Sequence, residues 1–526
     1  MVTRISELSR AGGETRLFLL AVVLVGMNVL WRTVRYALGF PLFGDEAFVA
    51  NSILVMGWQE LSGGLEHYQI VPLFYLWGTL LVSKIAGSSE WALRLLSYGA
   101  GVAAVLLFLK LAFQILPRKT ALISLAIFCA SYYPVRHAAE VKPYSFDLLV
   151  SLIITLAVLG FIKSPSSRAF AWWAIACSLG VWASYPSIFV AGGACLVLGV
   201  YGLVKEPRYL RPVSLVGLLM LVSFGLMYAS VGSAQRAAGV EVLINLDLWS
   251  STFPPWSEPS QFGGWFVHTH LGKMFAYPNG GNNGGSTLTF ALFCVGVWVM
   301  WRHDRLKTLL LLSPFLLMFV AASVEAYPYG GSARVAQHVA PAICLLAGTG
   351  LARLMRIAPA PPLEKRVLAV VGFCVVLILG GIARDVSKAY KELADKVNRQ
   401  VVAELAAQAV ADEQWIVFGT FGKNQQGVPD LYDWAGSAAR LRYYLLRDAG
   451  RRLHWGPGEA EMEKIAGKPA RLLVYRHPYV PFPGTEYAEY LQRVQTTFNL
   501  AGSREYLFEE GDESLIVYDL ETIRNK

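Results

Sequence analysis

The chain has 526 residues, of which 55% are hydrophobic and only 16% charged, with a mean hydropathy of +0.44. Soluble globular chains are about one quarter charged, and uncharged stretches such as 308–322 and 367–381, flanked by Lys and Arg, have no use in a soluble core. The net charge of +9 does not point to nucleic acid, because no nucleic-acid module accompanies it and the cations cluster between apolar runs, where loops hold Lys and Arg at a membrane surface.

Apolar stretches long enough to cross a hydrocarbon core of about 30 Å fall at 17–34, 68–85, 91–116, 119–135, 144–162, 170–186, 188–204, 212–232, 286–301, 308–326, 333–352 and 366–383. The first follows basic residues and lacks a small-residue cleavage site, so it reads as an uncleaved signal anchor. Basic clusters at Arg4/Arg10/Arg16, Lys163/Arg168, Lys205/Arg208/Arg211, Arg302/Arg305/Lys307 and Arg353/Arg356/Lys365/Arg366 place the N-terminus inside the cell. They place 233–285, 327–334 and everything after 383 outside. An inside start and an outside end require an odd number of crossings, whereas the stretches number twelve. The sequence therefore predicts eleven or thirteen spans, with the discrepancy between 68 and 142. All six cysteines lie in apolar segments, which indicates neither a disulfide framework nor a thiolate metal site.

The expected organisation is a membrane domain over 1–383, with outer loops at 35–67 and 233–285, followed by a soluble extracytoplasmic domain over 384–526. In the first loop, Asp45–Leu61 carries apolar residues at helical spacing and predicts a helix on the membrane surface. The second loop ends in a Gly/Asn run at 279–285 that reads as flexible. The terminal domain holds 21 of the 37 acidic residues. Its β-like runs at 415–419, 472–475 and 515–518 alternate with helical patterns such as 434–446, which predicts a small α/β domain.

Four polar blocks interrupt this apolar chain. Phe43-Gly44-Asp45-Glu46-Ala47-Phe48 sets two adjacent carboxylates beside the membrane. A carboxylate there can take the proton of an attacking hydroxyl; equally, Asp45 can cap a helix whose positive end favours Glu46. Glu66-His67-Tyr68-Gln69 leads into the second stretch; an interfacial aromatic belt accounts for Tyr68 but less well for Gln69. Arg136-His137, Glu140, Lys142-Pro143-Tyr144 and Asp147 form a charged knot between two spans, and charge at membrane depth is costly and marks function. Arg136, His137 and Lys142 are suited to neutralise a phosphate. In the last block Tyr327-Pro-Tyr-Gly-Gly-Ser-Ala-Arg334, the arginine can grip a phosphate in bidentate fashion or pair with a carboxylate such as Glu325. His338 follows one helical turn beyond Arg334. Arg94 is a weaker phosphate candidate, explained as well by snorkelling. No Gly-rich phosphate loop or serine elbow occurs, and His268-Thr-His270 lacks a third ligand, so no metal site is predicted.

Taken in order, these blocks resemble the GT-C superfamily of membrane glycosyltransferases, in particular the family-39-like bacterial enzymes related to protein O-mannosyltransferases and the lipid A aminoarabinose transferase. The resemblance runs over about 15–383. It rests on Asp45-Glu46-Ala47, Gln69-x-x-Pro-Leu73, Ser89-Glu-x-x-Leu-Arg94-Leu, Glu140-x-Lys-Pro-Tyr-Ser-x-Asp147 and Tyr327-Pro-x-Gly-Gly-x-x-Arg334. It implies a polytopic α-helical protein of about 11–13 spans that transfers a sugar, usually with inversion, from a polyprenyl-phosphate donor to a lipid, glycan or protein acceptor on the outer face. Asp45 would be the catalytic carboxylate, with Glu46 beside it. His67, Tyr68, Gln69, Arg94, Arg136, His137, Glu140, Lys142, Tyr144, Arg334 and His338 would line the substrates, with no cofactor beyond the lipid-linked donor. The His-Pro-Pro block of the mannosyltransferases is missing, since His67 stands five residues before Pro72; this leaves the sugar open. The rival readings are a flippase for a lipid-linked sugar and a ligase that uses a diphosphate-linked glycan.

Overall fold

The computed structural model describes residues 2–66, 69–237, 250–281, 284–358, 361–419, 422–423, 429–430, 437–476, 486–508 and 514–523. The membrane part begins with helices α1 (Val2–Ala37), α2 (Gly44–Val55), α3 (Leu73–Ala86), α4 (Glu90–Ile115) and α5 (Arg118–Cys129). It continues with α6 (Tyr132–His137), α7 (Tyr144–Lys163), α8 (Ser167–Ala183), α9 (Ser187–Val204) and α10 (Leu210–Met227). The second long loop contains α11 (Phe262–Leu271), and after it come α12 (Gly285–His303), α13 (Arg305–Ser323), α14 (Ala340–Ile357) and α15 (Leu363–Ser387). Among the described residues, nine of the helical stretches, those containing α1, α4, α7, α9, α10 and α12 to α15, are long and apolar enough to cross a membrane.

The odd-crossing problem is resolved at α3. Its 14 residues rise about 21 Å, short of the hydrocarbon core, and both of its ends are tied to the same face of the bundle. Before the helix, the Val71 amide donates to Gln235 and the Val71 carbonyl accepts from Tyr185. After it, the Ser88 carbonyl accepts from Tyr443, and Glu90 receives Arg447. The expected crossing at 68–85 therefore does not occur. Lys119 at the start of α5 meets Glu364 at 2.9 Å, and Arg356 reaches Thr120, which marks the opposite face. Pro117-Arg118-Lys119 thus lies with the basic cluster 353–366. α5 is only 12 residues long, but from Thr120 to Cys129 every residue is buried in protein, so it need not match the lipid thickness. Counting α5 and α8 with the nine gives eleven among the described residues, an odd number as the basic clusters require.

The C-terminal domain starts with α16 (Leu393–Gln408) and strand β1 (Gln414–Gly419), followed by a two-residue ribbon, β2 (Gly422–Lys423) and β3 (Pro429–Asp430). Then come α17 (Ser437–Ala449), β4 (Leu453–Trp455), α18 (Glu459–Ile465), β5 (Ala470–Arg476), α19 (Glu486–Thr497), β6 (Phe498–Leu507) and β7 (Ser514–Thr522). The main sheet has the order β4-β1-β5-β7-β6. Its first three strands are parallel and β7 runs antiparallel to both neighbours, an α/β arrangement as the alternating pattern suggested. One sheet face packs Ile416, Leu472 and Val474 against Met462 and Val494. The other face packs Trp415, Val417 and Leu473 in one apolar cluster with Leu42, Ala47, Val49 and Ile53 of the first loop and its helix. Helix α2 is therefore not a bare surface helix. It ends at Val55, before the expected Leu61, and is covered by α17, whose Ala439 carbonyl accepts from Asn51.

The placement of α3 is checked by single-cysteine labelling in a cysteine-free background. Ala86→Cys and Glu364→Cys should react from opposite sides of sealed, oriented vesicles. Labelling of both from one side would restore α3 as a crossing.

Candidate active site

The Asp45-Glu46 pair separates into two roles as soon as α2 forms. Phe43 is the N-cap, so Asp45 and Glu46 occupy the first turn, and it is Glu46, not Asp45, whose side chain turns back to accept the Phe43 amide at 3.2 Å. Glu46 also accepts the Val141 amide at 2.8 Å and holds the Arg94 guanidinium through two contacts of 2.9 Å. Arg94 spends its remaining donors on the Phe40 and Pro41 carbonyls. Both side chains are almost fully enclosed, at 2% and 5% exposure. This corrects two expectations: Arg94 neither snorkels nor points at a ligand, and Glu46 has no lone pair left for an incoming hydroxyl. The physical reason is burial, since a charge out of water must be paired and hydrogen-bonded.

Asp45 is held differently. It forms an ion pair with Arg334, and each of the two side chains keeps 34% of its surface accessible. Arg334 reaches it from the turn after Gly330 and Gly331, both at φ +67°, where a side chain on either would strain the backbone and strike Thr269 or Thr252. The partner anticipated for Arg334, Glu325, is replaced by Asp45. The Arg334 turn precedes a short 3₁₀ segment at Gln337–Val339 and does not itself start the helix.

The charged knot completes the cleft. Lys142 is buried and donates to Gln69 at 2.5 Å, and its carbonyl accepts from Ser97, which anchors the turn to α4. Arg136 and His137 each lie 2.6 Å from a Glu140 oxygen, so that carboxylate is taken up within its own block. Tyr144 packs its ring edge-on against His137. Lys391, just beyond the last membrane helix, stands over the Phe43 ring. Sequence reasoning passed over Lys391, because in a charged linker it carries no distinguishing signal.

The electrostatics follow from this packing. Burial alone would raise the Asp45 pKa, but Lys142, Arg334 and Lys391 outweigh it, against Glu140, and hold the carboxyl below its ordinary value. Burial pushes the Lys142 ammonium down to about 8, aided by Arg334 and opposed by Asp45, Glu140 and Glu46. Lys391 is likewise pushed down to about 8 by burial and then Arg136, with Glu140, Asp45 and Glu392 opposing. Neither lysine has an ion pair among the described residues.

His338 is placed elsewhere: it is buried against the rings of Phe189 and Tyr327. His67 and Tyr68 lie outside the described residues. His270 uses both ring nitrogens, one on the Phe266 carbonyl and one on the Tyr329 hydroxyl, so the His268/His270 pair is not poised for a metal.

Among the described residues, nine helices long and apolar enough to cross a membrane, a first loop whose helix carries the open carboxylate, and a C-terminal sheet domain packed on that loop make up the GT-C membrane fold. Among solved structures, the chain is similar to ArnT from Cupriavidus metallidurans bound to undecaprenyl phosphate, with a TM-score of 0.52 and 15% identity over 94% of this chain and 97% of that one. It is also similar to the archaeal oligosaccharyltransferase AglB from Archaeoglobus fulgidus in complex with an inhibitory peptide and a dolichol-phosphate, with a TM-score of 0.47 and 12% identity over 97% and 75% of the two chains. No protein-family model and no curated protein matches the sequence.

The Arg94–Glu46 pair predicts a stability phenotype. Arg94→Met strands a buried carboxylate and should destabilise the protein by about 3–5 kcal/mol, whereas the Arg94→Met/Glu46→Gln double variant should recover part of that loss. Thermal unfolding of the purified proteins in detergent measures both. A single variant as stable as wild type would show that the pair is not the anchor of the loop.

Proposed function

We propose that the chain is a membrane glycosyltransferase that moves a sugar from a polyprenyl-phosphate donor to a hydroxyl-bearing lipid, glycan or protein on the membrane face that carries the C-terminal domain. The observation that carries this reading is the division of labour at 45–46: Glu46 is locked, while Asp45 stays open among Arg334 and a lysine, Lys142, that has no ion pair of its own among the described residues. A carboxylate beside cations is what this reaction needs. The acceptor oxygen attacks the anomeric carbon, its proton passes to Asp45, and the bond to the phosphate oxygen breaks with its electron pair leaving on the phosphate. Lys142 and Arg334 are already in place to meet that charge, so little reorganisation is required. The donor phosphate takes Arg334 from Asp45 and thereby frees the carboxylate oxygen for the incoming hydroxyl. The binding of undecaprenyl phosphate by ArnT, whose fold this chain shares, supports a donor of this chemical class.

Asp45→Asn should lower turnover at least about 100-fold, the loss expected for a missing general base, while membrane insertion and thermal stability stay as in wild type. Turnover is measured with a panel of radiolabelled polyprenyl-phosphate sugars and membrane extract. An active Asp45→Asn would remove Asp45 from the chemistry.

The pH profile of kcat/KM supplies a second check, because it reports the free enzyme's groups. Asp45 has a lowered pKa, so the base is ionised above the ordinary aspartate range and is lost only as pH falls below it. The lysines must be protonated to hold a phosphate; with pKa values near 8, that contribution disappears as pH rises through about 8. The charged groups facing them are Asp45, Arg334, Glu46, Arg136, Glu140 and Glu392. A plateau between, with an alkaline fall centred near pH 8, is expected; a rate flat to pH 9.5 would contradict the role of the lysines.

A further inference from the structure

The segment that joins the last membrane helix to the terminal domain enters the cleft, and it does so at a fixed position. On one side of Lys391, Asp385 accepts the Trp31 indole at 2.9 Å and pairs with Arg35 at 2.5 Å, which ties the end of α15 to α1. On the other side, the Glu392 amide donates to Asp395 at the start of α16, and Asp395 in turn holds the buried Arg440 of α17. Arg399 on α16 then donates to the Gly39 carbonyl at 2.6 Å, on the loop that leads to Asp45. Between these anchors the Lys391 ammonium lies over Phe43, two residues before Asp45. Its electrostatic neighbours are Arg136, Glu140 and Asp45 of the cleft and Glu392 beside it in the chain.

A half-buried lysine is costly to keep charged unless an anion compensates it. Here the carboxylates that act on it are committed: Glu140 to Arg136 and His137, Asp45 to Arg334, and Glu392 to Arg440. An aromatic face beneath the ammonium stabilises the cation without neutralising it, which leaves its charge for a further anion to match.

We infer that Lys391 is a donor-phosphate-binding residue, a cation that the C-terminal domain's linker contributes to the membrane-embedded site. This rests on the reading of the cleft as a polyprenyl-phosphate site. With Lys142 and Arg334 it surrounds the phosphate from three separate parts of the chain: the turn before α7, the glycine turn before α14, and the linker after α15. The terminal domain is on this account part of the active site, because its docking sets where the third cation stands.

The test compares wild type, Lys391→Ala, Lys391→Arg and Lys388→Ala. Lys388 is an exposed neighbour on the same linker. Each is titrated with a long-chain polyprenyl phosphate in detergent micelles and, separately, with the uncharged polyprenol of the same length. Lys391→Ala should bind the phosphate roughly tenfold more weakly, the loss of about one charge-assisted hydrogen bond, and bind the alcohol as wild type does. Lys391→Arg should stay within about threefold of wild type, and Lys388→Ala should match it. Unchanged phosphate affinity in Lys391→Ala overturns the inference, as does a parallel loss of phosphate and alcohol, which would make Lys391 a structural anchor. If wild type itself does not distinguish phosphate from alcohol, the reading of the cleft fails, irrespective of Lys391.

Discussion

A buried guanidinium determines how the candidate site of this protein is assembled. Arg94 sits in the first turns of α4 with 2% of its side chain exposed, a position where an unpaired charge is not tolerated. Glu46 and the Phe40 and Pro41 carbonyls satisfy it, and that requirement folds residues 40–46 down onto α4. The same glutamate accepts the Val141 amide, which draws the charged knot to the same place. Asp45, one residue earlier on a helix, then necessarily faces another direction and meets Arg334. One ion pair therefore brings together three blocks far apart in the chain, and its own members are excluded from chemistry by doing so.

The terminal domain completes this assembly. Its sheet shares an apolar cluster with α2 and the first loop, and the loop's backbone is held from the same side. The Leu42 amide donates to the Tyr444 hydroxyl at 3.0 Å, and Gly39 accepts from Arg399. Arg442 makes a bidentate pair with Glu66, further along that loop. A loop at a membrane surface would ordinarily be mobile; here it is clamped between α4 and α17. Preorganisation of this kind matters for a reaction whose rate depends on fixed charges already being in position.

The cleft itself holds more cation than anion can cancel. Glu140 neutralises Arg136, and Asp45 meets Arg334, which leaves Lys142 and Lys391 with depressed pKa values from burial. Burial of this excess positive charge is costly unless an anion compensates it. Of the terminal domain's acidic residues, Glu392 at the start of α16 acts on Lys391.

Much was legible in the sequence. Uncharged runs between basic clusters determine the membrane helices, because lipid excludes charge and loops retain it; alternation of short apolar runs with helical patterns determines the α/β terminal domain. The polar blocks that approach one another are also those that composition singled out, since a charge in an apolar chain must have a reason. What only the tertiary structure decided is which of these charges are spent on one another. Spacing along the chain does not reveal that Arg94 consumes Glu46, or that Arg334 chooses Asp45 over Glu325, because those pairs are separated by 48 and 289 residues. Nor could hydropathy tell that 68–85 stays on one face, since a helix that lies among other helices and one that crosses lipid are equally apolar. Lys391 was invisible for a simpler reason: a lysine in a charged linker acquires meaning only when folding places it over Phe43 and beside Asp45.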